Sequence, residues 1–300
     1  MEKSLARFFR TLNSKLIGTD NLLVEKILKI PFAFSGFFYR RKRAALSSGS
    51  NITLIENFDS NIKLKIDINR TMGCAIYWTG FHEYKELLFL HKYLMPDMVF
   101  IDVGANLGEY TLFCCKRLAN GRVLSFEPLP SIRKFLLENI ELNGFKNAIV
   151  YDCGLSDENK RLAIYEVEDT HEGLATIYPG ERVIKQKIEV ELKRMDDALV
   201  NQNRVDFIKI DIEGAELMAL RGGLNTIKKF RPIVMLELNQ KTYEAAGYTI
   251  EDIHIFFKEL NYQSYSIERR GKISKCESMP LFGNILFIPN ENSIHNTMVS

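Results

Sequence analysis

The segment VFIDVGANLGEYTLFC, residues 99–114, runs from an apolar stretch through a glycine-punctuated turn into helical spacing. Gly104 and Gly108 lie four residues apart, and the third glycine of the dinucleotide fingerprint is missing. Glycines at such a turn let backbone approach a ligand and adopt positive φ. The helix that follows aims its first amides at whatever sits above it. Asp102 at the strand end repels a phosphate and suits a cationic or ammonium-bearing group. The next apolar run ends in FEP, and its Glu127 follows Gly108 by nineteen residues. A carboxylate there is placed to accept two hydrogen bonds from a ribose diol. The expected ligand therefore has a ribose, lacks a diphosphate and carries a positive end. S-adenosylmethionine has all three, with Asp102, Gly104, Asn106, Gly108 and Glu127 as its expected binding set.

A second constellation is KIDIEGAE, residues 209–216. Side chains alternate along a strand, so Phe207, Lys209 and Asp211 share one face and Ile208, Ile210 and Ile212 the other. Lys209 and Asp211 can neutralise each other near the sheet's ligand-bearing edge. Glu213 and Glu216 follow in the turn, and Glu237 ends a neighbouring strand. If the methyl group of such a sulfonium passes to a hydroxyl, the hydroxyl must lose its proton, and a carboxylate whose pKa is raised by burial can take it near neutral pH. Asp211 is the first candidate for that base, Glu213 the second, and His82 in GFHE the third. Clustered carboxylates could instead hold Mg²⁺, which lowers a hydroxyl's pKa directly; the metal-free reading is preferred. Glu216 reads as a helix N-terminal carboxylate, and Glu237 as a fixed acceptor behind the chemistry. Trp78 and Tyr77 read as packing rather than as a sugar platform. His91, His171, His254 and His295 show no metal-binding spacing.

These residues need a scaffold. From residue 98 onward strands and helices alternate: 98–103, 122–127, 148–152, 205–211 and 232–238 read as strands, with helices at 109–119, 131–143 and 215–229. RLAIYEV and KIEVEL read as an inserted strand pair. Nearly continuous apolar strands between helices imply an α/β fold with a parallel sheet covered on both faces. Upstream, residues 5–29 have amphipathic helical spacing that Pro31 is expected to stop. A β-hairpin is expected around Asp59-Ser60-Asn61, and a helix over 79–94. The polar stretch 169–183 is expected to cover the acceptor, with His171 and Thr176 near it. The expected organisation is a basic helical extension (1–50), a hairpin and helix packed on the main domain (51–95), the ligand-binding domain (96–290) and a tail (291–300).

Composition narrows the classes. With 46% apolar and 26% charged residues in 300, the chain can bury a core. Its five cysteines form no C-x-x-C pair, so free thiols in a reducing compartment are expected. The first 30 residues lack the apolar core of a secretory signal. Net charge is +2, but residues 1–45 carry ten Lys/Arg against Glu2, Asp20 and Glu25, a balance of +7 that leaves −5 for the remainder. That asymmetry makes peripheral membrane contact through residues 1–45 a candidate; a lid or a homodimer contact are the alternatives. The basic charge does not continue into the domain, so nucleic acid is not an expected partner.

The motifs FIDVGANLGEYT, FEP, LLENIELNGFKN, GLSD, KIDIEGAELMALRGG and PIVMLEL together resemble FkbM-type S-adenosylmethionine-dependent methyltransferases, of the class I Rossmann-like group, over about residues 80–290. The resemblance implies a doubly wound, mostly parallel seven-stranded sheet and methyl transfer to a hydroxyl of a sugar, glycoconjugate or secondary metabolite. It places the adenine-facing position near Asp152 and Cys153, and Glu83, in a G-x-x-E pattern, at the methionine end of the cofactor. The expected partner is a small-molecule or glycan acceptor, and the expected location is the cytoplasm or the inner face of its membrane. Two alternatives stay open. An N-methyltransferase on RNA or protein calls for an Asn/Asp-Pro-Pro-aromatic loop where Asp211-Ile212-Glu213-Gly214 stands. A non-catalytic Rossmann-like nucleotide-binding protein calls for a third glycine or a defective ribose carboxylate.

Overall fold

Two amphipathic helices, α1 (Glu2–Ile17) and α2 (Leu22–Arg43), open the chain. A computed structural model describes residues 2–17, 19, 22–46, 49–167, 175–177 and 183–292; His171 and His295 lie outside these, as does the side chain of Thr176. Pro31 does not end a helix, as the sequence suggests, but sits inside α2. The reason is tertiary: α2 packs on α1 and on a third helix, α3 (Thr71–Thr79), and that burial outweighs one lost backbone hydrogen bond. Phe38 of α2 stacks on Trp78 of α3 with ring centroids 5.2 Å apart. Asn13 Nδ2 donates to Ser35 Oγ at 3.0 Å and to the Thr79 carbonyl at 2.7 Å. Trp78 is thus a packing residue, 3% exposed.

Strands β1 (Ile52–Phe58) and β2 (Ile62–Asp67) form the expected antiparallel hairpin. Asp59 and Ser60 both take positive φ, the twist-matched geometry of a tight hairpin turn. After α3 the chain turns at Gly80 and enters α4 (Tyr84–Tyr93). The single helix expected over 79–94 is therefore shorter, and residues 80–83 form a turn instead. Gly80 cannot sustain α3, and the freed turn carries His82 and Glu83 toward the sheet's open edge.

Strand β3 (Val99–Val103), helix α5 (Glu109–Arg117), strand β4 (Arg122–Phe126), helix α6 (Pro130–Leu142) and strand β5 (Ala148–Tyr151) make the first half of the doubly wound unit. Strands β6 (Cys153–Ser156), β7 (Lys160–Val167), β8 (Ala175–Thr176) and β9 (Ile184–Arg194) form a separate sheet in the order β6-β9-β7-β8, so the inserted strand pair of the sequence is part of a larger unit. Helix α7 (Met195–Ala198) leads to β10 (Phe207–Ile210). Next come α8 (Glu216–Gly222), α9 (Leu224–Phe230) and β11 (Ile233–Asn239). The expected helix over 215–229 is broken in two at Gly222-Gly223, a poor helix-forming pair; Gly222 packs on the Ser156 carbonyl, where a Cβ would lie 1.9 Å from the oxygen. Helices α10 (Gln240–Ala245) and α11 (Ile250–Glu259) precede β12 (Tyr262–Ile267), β13 (Ile273–Lys275) and β14 (Phe282–Pro289).

The main sheet runs β13-β12-β14-β11-β10-β3-β4-β5. It has eight strands rather than seven because the three-residue β13 pairs on the edge of β12. β14 is antiparallel to both its neighbours, while β11, β10, β3, β4 and β5 are mutually parallel. Alternation along β10 puts Phe207 in the core under α4 and α5 and Ile208 in the core under α8 and α11. Winding reverses at β3, so the crevice beyond the carboxyl ends of β3 and β10 is the natural ligand site.

The hairpin docks through a matched spacing. Asn139 and Asn143 stand one turn apart on α6, and Lys65 and Lys63 stand two apart on β2, repeats of similar length. Asn139 Oδ1 accepts from the Lys65 amide at 2.7 Å, and its Nδ2 donates to the Lys65 and Leu107 carbonyls at 3.1 and 2.9 Å. Asn143 repeats the pattern at Lys63. Asn139 is fully buried, so Asn139→Ala strands three backbone groups. We expect it to cost about 2–3 kcal/mol in urea unfolding, and the more exposed Asn143→Ala to cost less; equal or negligible losses would refute the clamp.

Candidate active site

A cavity of about 590 Å³ opens at that switch point, within the range of small-molecule sites. The glycine turn forms one wall. Gly104 takes φ +78°, and a Cβ there would fall 2.0 Å from the Asp211 carbonyl oxygen. Only glycine lets the ends of β3 and β10 touch in this way. Asn106 also takes positive φ, and its side chain accepts from the Leu107 amide at 2.7 Å, a local compensation available to Asn.

Glu127 closes this wall. Its Oε2 accepts from the Asn106 amide at 3.0 Å and its Oε1 from the Leu129 amide at 2.9 Å. Two amides use two of roughly four acceptor positions, leaving capacity for a diol. Burial pushes its pKa up to about 7. Apolar side chains continue the cavity beyond it, among them Leu129, Leu155, Ile164 and Leu192.

The opposite end is acidic. Lys209, 4% exposed, lies 3.3 Å from Asp211 Oδ2 and over the Tyr110 ring at 5.0 Å. Burial works against its charge, but Asp211, Asp102 and Glu83 outweigh that and hold its ammonium above the ordinary lysine range. Glu237 hydrogen-bonds to Asp211, and burial with the charges of Asp211 and Glu213 pushes it up to about 11. Glu237 therefore holds a proton beside Asp211, whose Oδ2 lies 3.3 Å from Lys209 Nζ. Glu83 accepts from the Tyr110 hydroxyl at 2.7 Å and from Asn284 Nδ2. Glu109, 2% exposed, accepts from the His82 amide at 2.7 Å, and burial pushes it up to about 8.

The cavity thus gathers His82, Glu83, Gly104, Asn106, Glu127, Asp211 and Glu213 from the residues singled out in the sequence. Asp102, Gly108, Asp152 and Cys153 do not line it. Asp102 is fully buried behind the turn, accepting from Thr111 Oγ1 at 2.6 Å and facing Lys209. It supports the site from below, because side-chain alternation turns it to the sheet face covered by α5, where Thr111 meets it. Gly108 starts α5 where a Cβ would strike Leu136. Cys153 is 1% exposed and Asp152 points to solvent; Gly154 and Leu155 reach the cavity in their place, because β6 turns away from β5 at this point. Glu216 does not reach it either: it clamps the turn, accepting from the Ile212 and Gly214 amides at 2.9 and 3.0 Å. Glu109, Tyr110, Tyr39 and Arg43 line the cavity without having been singled out by sequence. Glu109 and Tyr110 sit inside the glycine motif and were legible as its first helical turn; Tyr39 and Arg43 carried no signal. Among the described residues no three His, Cys, Asp or Glu are arranged to hold a metal ion.

An adenosine-sized pocket with a ribose-ready carboxylate at one end and a surplus of carboxyl groups at the other suits a sulfonium and an ammonium. This fits a Rossmann-like, S-adenosylmethionine-dependent methyltransferase, and the comparisons agree. The methyltransferase FkbM domain matches residues 102–264, more than half of the chain, and the protein belongs to that family. Methyltransferase 1 of Beauveria bassiana is 29% identical over 46% of this chain and 67% of its own. The 2-O-methyltransferase NoeI of Sinorhizobium fredii is 25% identical over 50% of this chain and 67% of its own. A solved FkbM methyltransferase from Methylobacillus flagellatus aligns with 71% of this chain at 19% identity and a TM-score of 0.46. The chain spans about half the length of that structure, 51%.

The buried carboxyls predict a pH dependence. Glu86, Glu127 and Glu216 are raised to about 7 and Glu109 to about 8, from an ordinary 4.5. Each binds its proton more tightly folded than unfolded, so folding takes up protons between these values and stability falls as pH rises through them. The ligand-free protein should melt lower at about pH 8 than at about pH 5.5, and Glu109→Gln should narrow the gap. A melting temperature that rises over this interval would contradict the assignment.

Proposed function

We propose that the protein methylates a hydroxyl group, with Asp211 as the base and a sugar, glycoconjugate or secondary metabolite as acceptor. The observation that carries this is the Asp211–Glu237 pair beside Lys209 on the cavity floor. S-adenosylmethionine, when bound, supplies an electrophilic methyl group on a sulfonium. Glu127 is positioned to hold its ribose hydroxyls, the apolar wall of Leu129 and Leu155 its adenine, and the acidic end around Glu83 its aminoacyl group. The NoeI relative, named as a 2-O-methyltransferase, supports an oxygen acceptor.

The proton balance follows from the pair. Asp211 is 29% exposed and lines the cavity, so it can meet an acceptor hydroxyl. As the oxygen–methyl bond forms and the carbon–sulfur bond breaks, the hydroxyl proton passes to the Asp211 carboxylate. Glu237 keeps its own proton throughout and fixes the orientation of Asp211. Lys209 Nζ, 3.3 Å from Asp211 Oδ2, balances the charge of that carboxylate. Placing acceptor oxygen, methyl and base in line provides much of the rate gain, as in other displacements between positioned groups. Glu213 and His82, which also line the cavity, serve in this reading to bind the acceptor.

Two substitutions separate the roles. Asp211→Asn should lower kcat by about 10²–10⁴ while leaving S-adenosylhomocysteine binding, read by titration calorimetry, within a few-fold. Glu237→Gln, which keeps a hydrogen-bond donor in place, should retain most activity. Mass spectrometry of glycans and metabolites from cells carrying Asp211→Asn would identify the acceptor by the loss of one methyl increment. If Asp211→Asn stays active while Glu213→Gln or His82→Ala does not, Asp211 is not the base.

A further inference from the structure

We infer that the outward face of α2 is a docking surface for an anionic lipid bilayer. Four large apolar side chains on this helix stand in water: Ile27, Ile30, Phe34 and Phe37, each at least 53% exposed. Their spacing of three, four and three residues puts them within an arc of roughly 80°. Lys26, Lys29 and Arg40, all exposed, run along one flank, and Arg41 closes the stripe at its C-terminal end. Helix α1 adds exposed Phe8, Lys3, Arg7 and Lys15. The other side of α2 is occupied, with Ser35 buried against Asn13 and Phe38 on Trp78. The stripe is the face of α2 that the described residues leave exposed.

An apolar stripe flanked by cations is the pattern of a helix lying in a membrane interface. No helix among the described residues is long and apolar enough to cross a membrane, so the helix would lie in the plane. The charge selects the occupant. Residues 1–45 sum to +7, so two copies meeting through this face would bring like charges together, whereas an anionic leaflet attracts them. The same helix contributes Tyr39 and Arg43 to the cavity wall, and exposed Phe282 also lines the cavity. Tyr39 and Arg43 project roughly opposite to the stripe on α2, so the docked helix lies between the bilayer and the cavity wall; the docking does not rest on the proposed methyl transfer.

Vesicle flotation of the full chain tests the docking without any turnover. The protein should float with vesicles of phosphatidylcholine containing roughly a third phosphatidylglycerol, not with phosphatidylcholine alone, and should release as salt approaches ~0.5 M. Ile30→Ser/Phe34→Ser/Phe37→Ser and, separately, Arg40→Glu/Arg41→Glu should each weaken partitioning by about tenfold or more, with S-adenosylhomocysteine binding unchanged as the check on folding. Failure of the wild type to float overturns the inference. So does flotation by both variants at the wild-type level, or a dimer in light scattering that the serine variant dissolves while vesicles are ignored.

Discussion

A lysine ammonium with almost no access to water holds the catalytic crevice together. Lys209 faces Asp102 from one side and Asp211 from the other, with Glu83 and Tyr110 beside it. Several carboxyl groups crowd this end of the cavity, and a buried carboxylate is costly unless it is paired or hydrogen-bonded. The chain meets that cost in three ways. Lys209 neutralises Asp211 and Asp102; backbone amides at 106, 129, 212 and 214 solvate Glu127 and Glu216; and Glu237 keeps its proton. The result is a pocket whose remaining negative potential favours a cationic cofactor.

The fold serves this arrangement by bringing loop ends together. Gly104 lets the β3 turn rest on the Asp211 carbonyl, so the cofactor wall and the catalytic floor share one contact. The turn at 80–83 supplies Glu83 and His82 from outside the doubly wound unit, and Glu109 fixes that turn through the His82 amide. The hairpin is secured on α6 by the two asparagines, and Asn139 reaches on to the Leu107 carbonyl in the cofactor loop. The N-terminal helices are joined to the same assembly through Arg10, Asn13 and the aromatic stack of Phe38 on Trp78. Segments that a reading by domains separates are thus mechanically continuous with the active site.

The family assignment fits this physical picture. A parallel sheet with its winding reversal at β3 leaves one crevice, and the ligand occupying it is selected by the groups at its rim. The missing third glycine and the acidic far end both disfavour a dinucleotide and favour a ligand with a positive tail. Other parts of the chain also line the cavity: Tyr39 and Arg43 of α2, Met72 of α3 and Phe282 at the start of β14. All four lie outside the matched residues 102–264.

Much of this was legible in the sequence because it depends on local pattern. Strand alternation, glycine turns and carboxylates at strand ends are encoded within a few residues, so the sheet, the hairpin, the cofactor turn and the Lys209–Asp211 pairing could be read directly. Sequence could not say which side of the turn Asp102 faces, that Gly154 and Leu155 rather than Asp152 and Cys153 reach the cavity, or that β13 adds an eighth strand. Those depend on how elements far apart in sequence pack. The same holds for the uninterrupted α2, where contacts with α1 and α3 override a proline, and for Gly222 at the end of α8, where the Ser156 carbonyl leaves no room for a side chain. Local periodicity determined the elements and the chemistry they carry; only tertiary contact decided which carboxyl keeps its proton, because that depends on burial and on neighbours brought in from other strands.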